Sequence, residues 1–169
     1  SSTSRGLGDV YKRQPVFNEE AFVKQSLTSL LNQTYPAKQL VVVDDGSTDN
    51  SVVIIRKLAD AYPNLKLITS DKASTHAPGE KVVRAFMRGF DVLSADWDVV
   101  CKFDADIVFP DNYLEKLNYA FNSNDKLGMF GGLLTIPNKD AWEVESISRN
   151  NHLRGCLLYT SPSPRDVEE

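Results

Sequence analysis

The chain has 169 residues, 41% hydrophobic and 25% charged, the balance of one globular domain with its own core. A net charge of −4 argues against a broad nucleic-acid-binding surface, and no run approaches the roughly 18 apolar residues of a membrane span. Cys101 and Cys156 stand too far apart for a metal spacing or a disulfide framework. Cys101 reads as a small apolar residue in a buried strand.

The two ends carry no element-length periodicity that fits the middle. "SRGLGDVYKRQ" (Ser4 to Gln14) and "CLLYTSPSPRD" (Cys156 to Asp166) are related through DNA instead. The reverse complement of one coding of the second, entered one base in, translates through Ser4 to Arg13 of the first. That DNA resembles the adapter of transposon-based sequencing libraries. Residues 1–14 and 156–169 are therefore expected to be non-native, with 15–155 a fragment of a natural domain.

Between them, strand and helix signals alternate. "NEEAFVKQSLTSLLNQ" sets Val23, Leu27, Leu30 and Leu31 on one helical face, with Asn18 as the expected N-cap and Glu19 and Glu20 in the first turn. Pro36 closes that region. "QLVVVDD" is a short continuous apolar run, as in a strand covered on both faces. "DGSTDNS" is turn and cap chemistry. Ile55, Leu58, Ala59 and Tyr62 mark a second helix, and "LKLIT" a second strand. "STHAPGE" is a loop; Val83, Phe86, Met87 and Phe90 mark a third helix; "WDVVCKF" is a third strand. Pro110 and Asp111 open a fourth helix carried by Leu114, Leu117 and Phe121. "LGMFGGLLTI" and "AWEVESIS" read as later strands. The rhythm is that of an α/β fold, a mostly parallel sheet with helices on both faces. The strand that should precede "PVFNEE" is expected to be missing, its place taken by the expected adapter.

Two acidic pairs end apolar runs: Asp44 and Asp45 after "LVVV", Asp104 and Asp106 after "DVVCKF". In open parallel sheets, ligands bind beyond the carboxyl ends of strands. Either pair alone reads equally well as turn and cap aspartates. In an extended segment residues i and i+2 point the same way, so Asp104 and Asp106 are expected to face one ligand, with small Ala105 allowing close approach. Hard cations such as Mg2+ or Mn2+ suit carboxylate oxygens and keep positions open for phosphate.

"PVFNEEAFVKQSLTSLLNQTYPAKQLVVVDDGSTDNS" followed by "FDADIVFP" resembles the family 2 glycosyltransferases with the GT-A fold, over nearly all of residues 15–155. The resemblance implies the donor-binding half of such a domain. It places Pro15, Phe17, Glu19 and Asp45 at the nucleotide, with Pro15 and Phe17 walling the base and Asp45 accepting from a base N–H. It makes Asp106 the direct metal ligand and Asp104 a ribose or water-mediated partner, with Mn2+ or Mg2+ as cofactor. The implied activity is transfer of a sugar from a nucleotide-diphosphate donor to a hydroxyl acceptor (glycan, lipid or protein), with inversion. The cysteine usage fits a reducing setting, with the cytoplasm or the cytoplasmic face of a membrane as the expected place. The catalytic base is expected in a C-terminal half that this chain lacks, so the chain itself is expected to be inactive.

Met87 stands where many members carry asparagine, and "HLRG" (His152 to Gly155) resembles a stretch that precedes the acceptor half in some bacterial members. His76 reads as solvated, with a phosphate or sugar contact the sharper alternative; Lys81 and Arg84 read as a solvated helix face, with a diphosphate contact the alternative; His152 and Arg154 could touch donor or acceptor. Trp97 and Trp142 read as packing or edge aromatics. "DDGSTDN" does not match a calcium EF-hand loop, since Gly46 falls too early. A nucleotidyltransferase would want a glycine-rich basic loop where "PVFNEE" stands; a non-catalytic sugar-nucleotide-binding homologue is the other alternative.

Overall fold

The computed structural model describes residues 15–69, 87–89, 91–92, 99–124, 126–127, 130–139, 141–144 and 156–160. In chain order the elements are β1 (Pro15–Val16), α1 (Val23–Leu31), β2 (Leu40–Asp44), α2 (Ser51–Ala61), β3 (Leu65–Thr69), β4 (Val99–Phe103), α3 (Tyr113–Ser123), β5 (Thr135–Asn138), β6 (Ala141–Val144) and β7 (Cys156–Thr160).

The apolar run of β2 dictates its place. All five of its residues are buried, as a strand with no polar alternation requires. It lies between β1 and β3 and is parallel to both, with Val16 opposite Asp44 and Leu40 to Asp44 opposite Leu65 to Thr69. Successive side chains of a strand point to opposite faces. Leu40 and Val42 accordingly join a large core with Val16, Val23, Leu27 and Leu30, Ile55 of α2, and Leu114 and Leu117 of α3. Val41 and Val43 join a smaller cluster with Val100 of β4 and Ile68 of β3. β4 divides the same way: Val99, Cys101 and Phe103 enter the large core and Val100 the small one. Burying an aliphatic side chain of this size contributes roughly 1.5–3 kcal/mol, so the apolar stripes of α1 and α3 hold both helices on the sheet. The expected α/β architecture, a parallel sheet with helices packed on it, is observed.

Several local expectations are corrected. α1 begins at Val23 rather than beside Asn18. Asn18 instead adopts φ 55°, a left-handed conformation that asparagine tolerates. The Glu19 carbonyl then accepts from the amides of Phe22 (3.0 Å) and Val23 (2.9 Å), closing a turn ahead of the helix. Glu19 and Glu20 therefore lie outside the first turn of α1. α3 begins at Tyr113, after a turn in which the Pro110 carbonyl accepts from the Tyr113 amide. Residues 87–89 and 91 are helical, but Met87 is 49% exposed rather than packed. Val83, Phe86 and Phe90 fall outside the described residues, as do His76, Lys81, Arg84, Trp97, His152 and Arg154.

β5 and β6 form an antiparallel hairpin that starts later than "LGMFGGLLTI" suggested, with Pro137 opposite Trp142 and Lys139 at φ 47°. Trp142 is 72% exposed, an edge aromatic. β7 is antiparallel to β4, Phe103 opposite Cys156 and Val99 opposite Thr160. No element was expected there; the backbone of Cys156–Thr160 supplies ladder partners to β4 across a register of five residues. Among the described residues no helix is long and apolar enough to cross a membrane.

Candidate functional site

The acidic pair that ends β2 is divided by its backbone. Asp44 is the last residue of the strand and is 2% exposed. Its carboxylate accepts from the Gly46 amide (3.1 Å) and the Ser47 amide (3.2 Å). A buried carboxylate needs such donors, and Gly46, at φ 85°, turns the chain so that both amides reach it. Asp45 is half-buried, and its amide donates to the Val16 carbonyl (3.1 Å), extending the β1–β2 ladder by one bond. Among the described residues its carboxylate has no hydrogen-bond partner. Asp44 therefore builds the turn, and Asp45 presents its acid beyond it.

The segment after β1 is laced to the segment after β2. Asn18 Oδ1 accepts from the Thr48 amide (2.9 Å) and its hydroxyl, while the Asn18 amide donates to Ser47 Oγ (3.1 Å). Ser47 Oγ in turn donates to the Val16 carbonyl. The Glu19 amide donates to Ser51 Oγ (2.9 Å), and the Glu20 amide to Asp49 Oδ2 (3.0 Å). Glu20 Oε2 accepts from the backbone and side-chain amides of Asn50. Two carboxylates, Glu20 and Asp49, thus meet the N-terminal turn of α2, where unpaired N–H groups favour negative charge. Phe17, between β1 and the clasp, is 52% exposed. Pro15 pairs through its backbone with Val43. Glu19, half-buried, contributes its backbone to the clasp and the turn.

Partial burial raises the Asp49 carboxyl, but the Ser51 side chain and the amides of Ser51 and Glu20 outweigh it and hold the group below its ordinary 3.8. A carboxyl depressed by folding stabilises the fold above its unfolded value, and that contribution is lost as pH falls through the folded value. Asp49→Asn should therefore destabilise the chain at neutral pH, and its deficit should shrink below pH 3.8. Urea unfolding of both proteins across the acid range checks this; a deficit constant with pH would refute it.

The second acidic pair departs from its expected geometry. Asp104 and Asp106 lie not in an extended segment but in a turn, with the Asp104 carbonyl accepting from the Ile107 amide (3.4 Å). Ala105 faces inward, buried in the large core with Val16 and Phe103. Its small size fits that core position; it does not open a path for a ligand. The turn leaves the two acids in unequal surroundings. Asp104 is half-buried and paired with Lys102, Nζ to Oδ1 3.2 Å. Asp106 is exposed, and its carboxylate has no partner among the described residues.

Among the described residues no three His, Cys, Asp or Glu side chains gather into a metal cage. The available donors, hard carboxylate oxygens of Asp106 with Asp104 beside it, fit an open Mg2+ or Mn2+ site completed by phosphate and water. They do not fit a closed protein site. An open groove of about 550 Å3 along α1, lined by Lys24, Thr28 and Val108 among others, contains none of these acids.

Sequence reading missed the clasp, although "NEE" and "GSTDNS" carry its complementary donors and acceptors. It also missed Gln33, a buried side chain two residues beyond α1 that bonds to the segment following Asp106.

The family model described as "Glycosyl transferase family 2" matches residues 15–159. An uncharacterized glycosyltransferase of Haemophilus influenzae is 32% identical over 111 residues, covering 65% of this chain and 41% of that protein. The poly-beta-1,6-N-acetyl-D-glucosamine synthase of Staphylococcus epidermidis is 29% identical over 125 residues, 74% of this chain and 28% of that one. The chain thus spans less than half the length of these relatives. Among solved structures, S. aureus TarS 1–349 in complex with UDP-GlcNAc aligns with a TM-score of 0.55 at 26% identity, covering 68% of this chain and 31% of that one. The mannosyltransferase PcManGT of Pyrobaculum calidifontis, in complex with GDP-Man and Mn2+, aligns with a TM-score of 0.56 at 24% identity, 76% and 36% covered, a likeness of fold.

Proposed function

Because the chain belongs to glycosyl transferase family 2, we propose that its parent protein moves a sugar from a nucleotide-diphosphate donor to a hydroxyl acceptor, with inversion. The observation that carries this reading is the division of labour among the acids. Asp44 is consumed by its turn, whereas Asp45 and Asp106 lie beyond buried strands with carboxylates that no described residue engages.

In this reading Phe17 and Pro15 flank the base, and Asp45 accepts a base N–H, of uracil or of an amino-bearing purine edge. Glu19 belongs to the same wall, and Asp104 serves the ribose. Mn2+ or Mg2+, held by Asp106 with Asp104, would offset the negative charge that develops on the departing diphosphate. The protein's own part is to fix these carboxylates in advance: the clasp orients Asp45, and β4 with its turn orients the second pair. The acceptor (glycan, lipid or protein) and the base that activates it are not assigned to any residue of the chain. Binding, rather than turnover, is therefore the test for this chain, and work at a cytoplasmic membrane face remains compatible with it.

TarS was solved with UDP-GlcNAc and the mannosyltransferase with GDP-Man and Mn2+, so UDP, GDP and Mn2+ are the probes. Calorimetry should show that the chain binds at least one of the two nucleotides in a manner that requires Mn2+. Asp45→Ala should weaken that binding about tenfold, the worth of one hydrogen bond to a charged group. No Mn2+-dependent binding of either nucleotide would sink the proposal.

A further inference from the structure

We propose that Gln33 is a positioning residue for the turn that carries Asp106, acting from the end of α1. This rests on the donor-binding reading above and adds to it a residue outside both acidic pairs.

Gln33 is 6% exposed, and its whole carboxamide is engaged. Nε2 donates to the Ser29 carbonyl (2.8 Å) and to the Pro110 carbonyl (2.7 Å), while Oε1 accepts from the Leu114 amide (2.9 Å). Ser29 assists: its hydroxyl oxygen accepts from the Phe109 amide (3.1 Å). The Thr34 amide donates to the Asp111 carbonyl (2.8 Å). The end of α1 thus holds backbone groups at 109, 110, 111 and 114, which no strand ladder serves.

This arrangement reaches the acidic turn because the intervening chain is short. Only Ile107 and Val108 separate Asp106 from Phe109. The Phe109 ring is itself fixed, 4.6 Å from the Phe103 ring and 5.0 Å from the Tyr113 ring. The turn is therefore strung between the end of β4 and an anchored Phe109. A carboxamide suits all three bonds of Gln33: a carboxylate could accept from Leu114 but not donate to Pro110, and a thioether cannot donate and accepts only weakly. Without these bonds the 109–114 segment loses its register on α1, and Asp106 loses its aim while β4 stays in the core.

The test compares Gln33→Met, the milder Ser29→Ala, and Asn64→Ala as a control. The control removes a bond from Asn64 Nδ2 to the Ala37 carbonyl, ahead of β2 and remote in sequence from the acidic turn. Melting temperatures are measured for each variant. Calorimetry follows UDP and GDP with Mn2+, and NMR titration follows uridine and guanosine without metal. Gln33→Met and Ser29→Ala should lower Mn2+-dependent diphosphate affinity about tenfold, as loss of an outer support does at metal sites, and leave nucleoside affinity unchanged. Unchanged diphosphate affinity in both variants overturns the proposal. So does an equal loss in the control at a matched fall in melting temperature. If the parent chain shows no Mn2+-dependent binding, the donor-binding reading fails and this proposal with it, a result distinct from either of the others.

Discussion

Asp106→Asn should abolish most Mn2+-dependent nucleotide binding, by about 100-fold or about 2.7 kcal/mol, with little change in stability. The carboxylate is exposed and has no partner among the described residues. Its loss removes nothing from the fold, and surface changes of this kind usually stay within about 0.5 kcal/mol. Asparagine keeps the shape but loses the charge that a hard cation selects. Asp104→Asn should behave differently, since it takes a partner from Lys102 and touches the fold as well as the ligand. Calorimetry with UDP or GDP and Mn2+, alongside thermal melts, separates the two effects. An Asp106→Asn protein that keeps full Mn2+-dependent affinity would remove this residue from the site.

The largest effect on stability is expected at Phe103. Phe103→Ala should cost about 3–5 kcal/mol, the range for deleting a fully buried aromatic ring. The side chain is fully buried, and its ring lies against both Phe109 and Tyr113, the latter edge-on at 5.9 Å. Stability of a single domain is commonly about 5–15 kcal/mol, so such a loss approaches unfolding. The shift in urea midpoint measures it, and Phe103→Leu, which keeps much of the volume, should retain most of the lost stability. A Phe103→Ala midpoint close to that of the parent would show that the aromatic cluster bears little of the fold.

What could be read without coordinates were the features that local pattern determines. The unbroken, β-branched run of β2 reads as a strand covered on both faces. The spacing of Val23, Leu27 and Leu30 can only bury as one helical stripe, and both are buried in this way. The errors share a cause, which is that the deciding partner lies far away in sequence. Asparagine suits both an N-cap and a left-handed turn; Thr48, 30 residues on, decides for Asn18. Ala105 reads as open space beside two acids, until the core formed by Val16 and Phe103 claims it. Gln33 carries no periodic mark, because two of its three partners lie 77 and 81 residues away. The candidate site was legible as two acidic pairs, but not as a buried Asp44, a Lys102-paired Asp104 and two carboxylates that no described residue engages, Asp45 and Asp106, because the backbone turns decide how each acid is placed.

The clasp between 18–20 and 47–51 also has a kinetic meaning. Its bonds span about 30 residues, and closing such a loop carries an entropic cost before any bond repays it. The contacts between 18–20 and 47–51 are therefore expected to form together with the pairing of β1 and β2. In the reverse direction, parting β1 from β2 should release the bonds of Asn18 and of the Asp45 amide together, and hydrogen exchange at these positions should read them as one opening.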